Sequence, residues 1–181
     1  MSTFRLGRLV GTPASERGGE LVAEPTYRAL GELGWLDQVA VAEIDPAISD
    51  TLATRDAYGL SDDQLANCVV VGGRREGDQR FAACVVLAST RADVNGTVRR
   101  RLDVRKASFL GREEAVERTS MEYGGITAFG LPTEWLVLVD RQVADAELVV
   151  VGSGVRRSKL LVPGRLLAEL PAAEVIDGLG L

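Results

Sequence analysis

The chain has 181 residues, 46% of them apolar, and a mean hydropathy of +0.07, which suits one domain with a sizeable core and excludes global disorder. Its formal net charge is −5, and it contains two cysteines, Cys68 and Cys84, and no histidine. The missing histidine excludes Cys-His and Ser-His-Asp hydrolases, a histidine general base and a Cys/His zinc finger.

Residues 1–24 include Gly11-Thr12-Pro13 and Arg17-Gly18-Gly19 without a clear hydrophobic period, and read as an N-terminal arm before one domain over 25–181. The apolar run at the N-terminus is too short for a signal segment and no window approaches a membrane span, so the expected location is cytoplasmic, with no membrane partner. Pro25 to Leu36 places Tyr27, Leu30, Leu33 and Leu36 on one helical stripe, with the proline at a favoured first-turn position. Residues 39–44 read as a strand, followed after Asp45-Pro46 by a helix from about Asp50 to Tyr58, capped by Ser49 and stopped at Gly59. Asn67 to Val71 and Arg80 to Leu87 form a predicted hairpin centred near Glu76, with Gly72-Gly73 through Gly77 as the connection. The two thiols flank this hairpin and read as buried apolar residues of a reducing compartment rather than a disulfide.

Asp93 caps a predicted helix to Leu102, with Val94, Val98 and Leu102 on one face; a short strand at 106–109 and a charged helix at 112–118 follow. Strands are expected at 135–139, 147–151, 159–162 and 173–176, with a turn at Gly152-Ser153-Gly154 and a helix after Pro163. This alternation predicts an α/β (α+β) fold, a single domain with a mixed, mostly antiparallel curved sheet surrounded by short helices.

Between the charged helix and the strand at 135 lies Met121-Glu122-Tyr123-Gly124-Gly125-Ile126-Thr127-Ala128-Phe129-Gly130-Leu131-Pro132. Adjacent glycines allow left-handed backbone and a close approach of N–H groups to a ligand; a tight connection that needs positive φ is the structural alternative. Asp140, at the end of an apolar strand, is equally readable as a site carboxylate or a turn cap. Asn67 to Arg112 carries ten basic and four acidic side chains in an otherwise acidic chain. That island suits phosphate contact, although charge runs are more often solvated helix faces. Gly152-Ser153-Gly154 does not continue as a dinucleotide fingerprint, there is no Walker lysine pattern, and no carboxylate cluster suggests a metal, so neither cofactor nor metal is expected.

Taken in order, these elements resemble the YbaK-type aminoacyl-tRNA deacylases, relatives of the editing domain inserted in bacterial prolyl-tRNA synthetases, over roughly residues 39–179. The family's Gly-Gly-Ile-Ser-Pro-x-Gly loop is matched by Gly124-Gly125-Ile126-Thr127-Ala128-Phe129-Gly130, and its strand ending in aspartate by Asp140. Gly152-Ser153-Gly154 with Arg156-Arg157 matches its glycine-rich basic turn, and Arg105-Lys106-Ala107 its basic step after the Arg-rich helix. The chain departs from the family at Asn67, where many members place a functional lysine, and at Ala128, where they have proline. Asparagine supplies no positive charge, so a phosphate contact made there would be weaker or taken over by a nearby basic side chain.

The resemblance implies hydrolysis of the ester of a small amino acid mischarged on tRNA. Gly124, Gly125, Ile126, Thr127 and Asn67 would be catalytic, the backbone N–H groups holding the oxyanion while the substrate's own ribose hydroxyl orients water. Phe129, Gly130, Asp140, Gly152, Ser153 and Gly154 would contact substrate, with Ile126, Phe129 and Val139 as apolar walls. Arg99, Arg100, Arg105, Lys106 and Arg156 would hold the tRNA acceptor end, with an aminoacyl-tRNA synthetase as a further partner and no DNA. A binding module of the same fold without turnover, or an unrelated small-ligand protein with a purely structural loop, remain open on sequence alone.

Overall fold

Short apolar and β-branched runs, several of them ended by glycine, proline or aspartate, set the strands of the protein, for which a computed structural model describes residues 4–181. One sheet runs β1 (Phe4–Leu6), β2 (Leu9–Pro13), β3 (Ala40–Glu43), β9 (Ser158–Val162), β8 (Val149–Gly152), all antiparallel. The other runs β10 (Ala173–Ile176), β7 (Leu136–Asp140), β5 (Asp78–Leu87), β4 (Ala66–Arg75), β6 (Ala107–Phe109). Its β10–β7 and β7–β5 pairs are parallel and its β5–β4 and β4–β6 pairs antiparallel. The mixed, mostly antiparallel architecture is as expected, but divided into two sheets that touch through a parallel bridge between Leu65 and Val150. The main core fills the space between them, with Val39, Val85, Val139, Leu160 and Leu166 almost wholly buried.

Among the described residues seven α-helices cover these sheets: α1 (Ala14–Leu21), α2 (Glu24–Glu32), α3 (Thr51–Tyr58), α4 (Arg99–Leu102), α5 (Arg112–Thr119), α6 (Arg141–Ala144) and α7 (Gly164–Ala168). The cap of α3 is Asp50 rather than the expected Ser49: its Oδ1 accepts from the amides of Leu52 and Ala53, and Gly59 ends the helix at φ +64°. Asp93 caps as expected, accepting from Gly96 and Thr97, and the bonds from Thr97 lead in holding its carboxyl below the usual range. The helix it begins is a π-turn over Val94–Val98 that tightens into α4. Among the described residues no helix is long and apolar enough to cross a membrane.

Three expectations are corrected. Residues 4–24 are not an arm: β1 and β2 extend the first sheet, Leu9, Ala14 and Leu21 are buried, and the Ala14 amide donates to Val39. Gly11 and Gly18, which looked flexible, are places of close contact, where a Cβ would meet Ala40 at 2.7 Å and the Tyr27 ring at 2.9 Å. Met1 to Thr3 of the expected arm lie outside the described residues. Gly72 and Gly73 belong to β4, pressed against Leu110 and Val104, and the hairpin turns on Glu76-Gly77 alone, both at positive φ.

The cysteines stay apart because Cys68 pairs with Val85 and Cys84 with Val69, a one-residue stagger that points the thiols to opposite sheet faces. Both are free, and burial raises both, Cys84 to about 12, so neither is a thiolate at neutral pH. The third correction is Asp140, buried as the cap of α6: Oδ1 accepts from Gln142 N at 2.8 Å and Oδ2 from Gly180 N at 2.7 Å. It therefore ties the last residues of the chain to the end of β7. Asp140→Ala should lower unfolding free energy by about 2–4 kcal/mol, the combined scale of a lost cap and a lost charge-assisted bond, at an unchanged denaturant m-value.

Candidate functional site

β6 pairs with β4 only at Val71–Gly73, so among the described residues the outer edge of β4 has no strand neighbour from Ala66 to Val69. On the other side of this gap runs β8, meeting the start of β4 at the Leu65–Val150 bridge. Past that bridge the sheets part around a cavity of about 290 Å³, at the small end of ligand pockets. One wall is polar, with Ser49, Thr51, Asn67 and Lys159; another is apolar, with Leu65, Cys68, Val70, Ile126 and Val151. Tyr123 and Phe109, 47% and 60% exposed, also line it.

The glycine loop is held over this cavity by the turn that follows β8. Gly154 N donates to Gly125 O at 2.7 Å, Glu122 N to Gly154 O at 2.9 Å, and Arg156 N to the Glu122 carboxylate at 2.8 Å. The backbones approach so closely that a Cβ on Gly125 would lie 2.6 Å from Val155 O, and one on Gly152 2.5 Å from Gly125 O. The Gly125 amide is used within the loop, donating to Glu122 O, and so is not among the free donors. The amides of Gly124, Ile126 and Thr127 have no acceptor among the described residues, and Gly124 and Ile126 line the cavity.

Of the expected site residues, Asn67, Gly124, Ile126 and Gly152 come together, with Gly125 directly behind them and Arg156 beside Gly124. Asn67 Oδ1 accepts from the Thr51 hydroxyl at 2.6 Å, which fixes the amide on the polar wall. The others are turned away. Phe129 is fully buried, edge-on to Trp35, and Ala128 and Val139 lie in the same core, so the expected walls reduce to Ile126. Gly130, at φ +89°, leaves room for α2, where a Cβ would meet Pro25 O. Ser153 bonds to Val155 and Ser158, and Gly154 packs on Ala23. Thr127 is 1% exposed, and its hydroxyl has no partner among the described residues.

Arg105 and Lys106 border a second concavity of about 470 Å³ with Arg74, which shares Phe109 and Leu110 with the first. Arg99 and Arg100 bond to their own turn, through Asn95 O and Thr97 Oγ1, and line neither. No three His, Cys, Asp or Glu side chains gather as metal ligands among the described residues.

Lys159 was not anticipated from the sequence. It is 8% exposed, sits in register with Gly152, and its Nζ donates to Ser49 O at 2.8 Å. Burial lowers its pKa to about 8, with Asp50 opposing the shift and Arg156 adding to it. The available signal was a lone lysine within the apolar strand Ser158-Lys159-Leu160-Leu161-Val162, all of it buried.

The fold is one already represented by solved structures. A proposed trans-editing enzyme for prolyl tRNA synthetase superposes with a TM-score of 0.72 at 22% identity, over 86% of this chain and 94% of that one. The crystal structure of a hypothetical protein gives 0.75 at 19% identity, over 87% of this chain and 100% of that one. No curated protein matches the chain in sequence comparison. The model of the aminoacyl-tRNA editing domain matches residues 45–170, and the chain belongs to that family.

Two outcomes follow from the site's packing. Gly125→Val should force the two turns apart, lowering stability by about 1–3 kcal/mol as overpacking does and removing activity with it, measurable by chemical denaturation. Lys159 carries a linkage with a definite sign. Below pH 8 both folded and unfolded chains hold its proton and the folded state bears the full burial penalty; from pH 8 to 10.5 the unfolded chain binds more protons, so stability rises with pH. The shift corresponds to roughly 3 kcal/mol. Lys159→Met should therefore be more stable than the natural protein at pH 7, with an advantage that shrinks towards pH 10.5.

Proposed function

We propose that the chain is an aminoacyl-tRNA deacylase acting in trans on a small amino acid mischarged on tRNA. The observation that carries this is the pair of unpartnered amides, Gly124 and Ile126, bordering a cavity that also holds Asn67. Donors fixed before the reaction and aimed where charge develops are the largest source of rate in acyl transfer, and loss of one typically removes about 10²–10³ in rate. The ester carbonyl oxygen accepts from these amides as the carbonyl becomes tetrahedral. The neighbouring ribose hydroxyl of the substrate orients the attacking water, which the histidine-free composition makes the economical route. Asn67, held by Thr51, offers its amide N–H₂ to the substrate.

A cavity of about 290 Å³, with Leu65, Cys68, Val70, Ile126 and Val151 on its apolar side, suits a small side chain and excludes a large one. Such a second sieve is needed because one methylene distinguishes substrates by only about 1–3 kcal/mol at a synthetase. Tyr123 and Phe109 offer faces for a terminal base, and Arg105, Lys106 and Arg156 suit the phosphates of the acceptor end. The partners in this reading are tRNA and a synthetase that releases its errors, in the cytoplasm.

The test is incubation of the purified protein with correctly and wrongly charged tRNAs while the aminoacyl ester is followed. Hydrolysis of a small mischarged amino acid, with bulky ones spared, is the expected result. Binding without loss of any ester would sink the enzymatic reading and leave a tRNA-end binding module.

A further inference from the structure

Every residue of β9 is buried, and four of the five keep no charge; the exception is Lys159. A buried ammonium destabilises the fold unless its protons are satisfied, yet of its three N–H groups only one has an acceptor among the described residues, the carbonyl of Ser49. It makes no ion pair there either: Asp50 influences it without coming within salt-bridge distance, and the Asp50 carboxylate already accepts from the amides of α3. The charged groups around it are that aspartate, at the start of α3, and Arg156, on the turn after β8. The Cys68 thiol and the Tyr123 phenol also line the cavity, and burial raises the thiol so that it brings no charge at neutral pH. Two cations against one spoken-for carboxylate leave this wall positive, in a protein whose net charge is −5.

We propose that Lys159 is the anion-binding residue of the cavity, and that its ligand is the 5′-phosphate of the terminal nucleotide carrying the aminoacyl ester. This rests on the deacylase reading for the identity of the substrate. In an aminoacyl ester the amino acid's own carboxylate is consumed, so the negative charge near the reacting end belongs to the nucleotide phosphate. The α-ammonium of the amino acid is repelled by Lys159 and Arg156, which sends the amino acid towards Ile126 and Val151 and the nucleotide towards Ser49, Thr51 and Asn67. Lys159 in this role is a positioning residue: as a compact point charge on a strand buried at both ends it fixes the phosphate, and through it the ester, beneath the amides of Gly124 and Ile126.

The test uses the full chain with adenosine 5′-monophosphate as probe and adenosine as the neutral control. The natural protein should bind the monophosphate at least about tenfold more tightly than adenosine, the preference falling with salt as a phosphate contact requires. The Lys159 amine, followed by NMR, should titrate at higher pH when the monophosphate is bound. In Lys159→Met the preference for the phosphate should vanish while adenosine binding persists; Lys159→Gln, which keeps a polar end, provides the same comparison should the methionine variant fail to fold. Equal affinity for the two probes in the natural protein, or an unchanged preference in both variants, would overturn the assignment. Monophosphate preference without hydrolysis of any charged tRNA would leave the anion site standing and remove the deacylase. Hydrolysis without the preference would do the reverse.

Discussion

The approach of two glycine turns, Gly124-Gly125 and Gly152 to Gly154, is the constraint on which the rest of the site depends. One side-chain bond, from Arg156 N to the Glu122 carboxylate, spans the two turns. Main-chain bonds join them, Gly154 N to Gly125 O and Glu122 N to Gly154 O, and the space between them is too narrow for a Cβ on either Gly125 or Gly152. Because the second turn grows directly out of β8 and returns into β9, the glycine loop takes its position from the sheet rather than from its own flexible backbone. A loop fixed in this way can leave amides unpaired at a cavity without collapsing onto them, and unpaired amides are otherwise uncommon in folded chains.

That rigidity gives meaning to the division of the cavity into two walls. The sheet edge at Ala66 to Val69 and the loop before α3 supply the polar side, anchored by the Thr51–Asn67 hydrogen bond, and the interior of the two sheets supplies the apolar side. Lys159 lies where the two meet, in register with Gly152. Its burial opposes folding at neutral pH, and a side chain that costs stability in every folded molecule is one whose position is explained by what it binds rather than by what it holds together.

Much of the fold was legible because its elements obey local rules. The stripe of α2, the cap at Asp93 and the stop at Gly59 all appear near their predicted places. What escaped was decided by tertiary contact. Gly11, Gly18, Gly72 and Gly73 carry the same local signature as flexible connections, yet each is a glycine because another chain segment presses against it. Asp140 was balanced between site and cap, and only the arrival of Gly180 from the far end of the sequence decides for the cap. Asn67 and the glycine-loop residues Gly124 and Ile126, named from sequence, border the cavity, but Phe129 and Val139 were placed in the pocket by nearness in the loop and strand, whereas the pleat and the loop's bend turn them into the core. Lys159 fell within a strand expected from the sequence at 159–162, but no site role was read for it, since only the pairing of that strand with β3 and β8 shows that the lysine is buried beside Gly152.

The same distinction separates the basic side chains that hold the fold from those open to a ligand. Arg75 and Arg80 pair with Asp103, and Arg101 with Glu174, while Arg99 and Arg100 bond within their own turn. Exposed pairs of this kind contribute only about 0–1 kcal/mol each, but they lower the local positive field. Arg74, Arg105 and Lys106 make no ion pair among the described residues and border one concavity, joined to the first through Phe109 and Leu110. The basic island of the sequence thus narrows to a short path beside an exposed aromatic ring, where the proposed acceptor end would enter. Net charge opposes non-specific binding of nucleic acid elsewhere on the surface, so the path gains selectivity for a chain end that can reach the cavity.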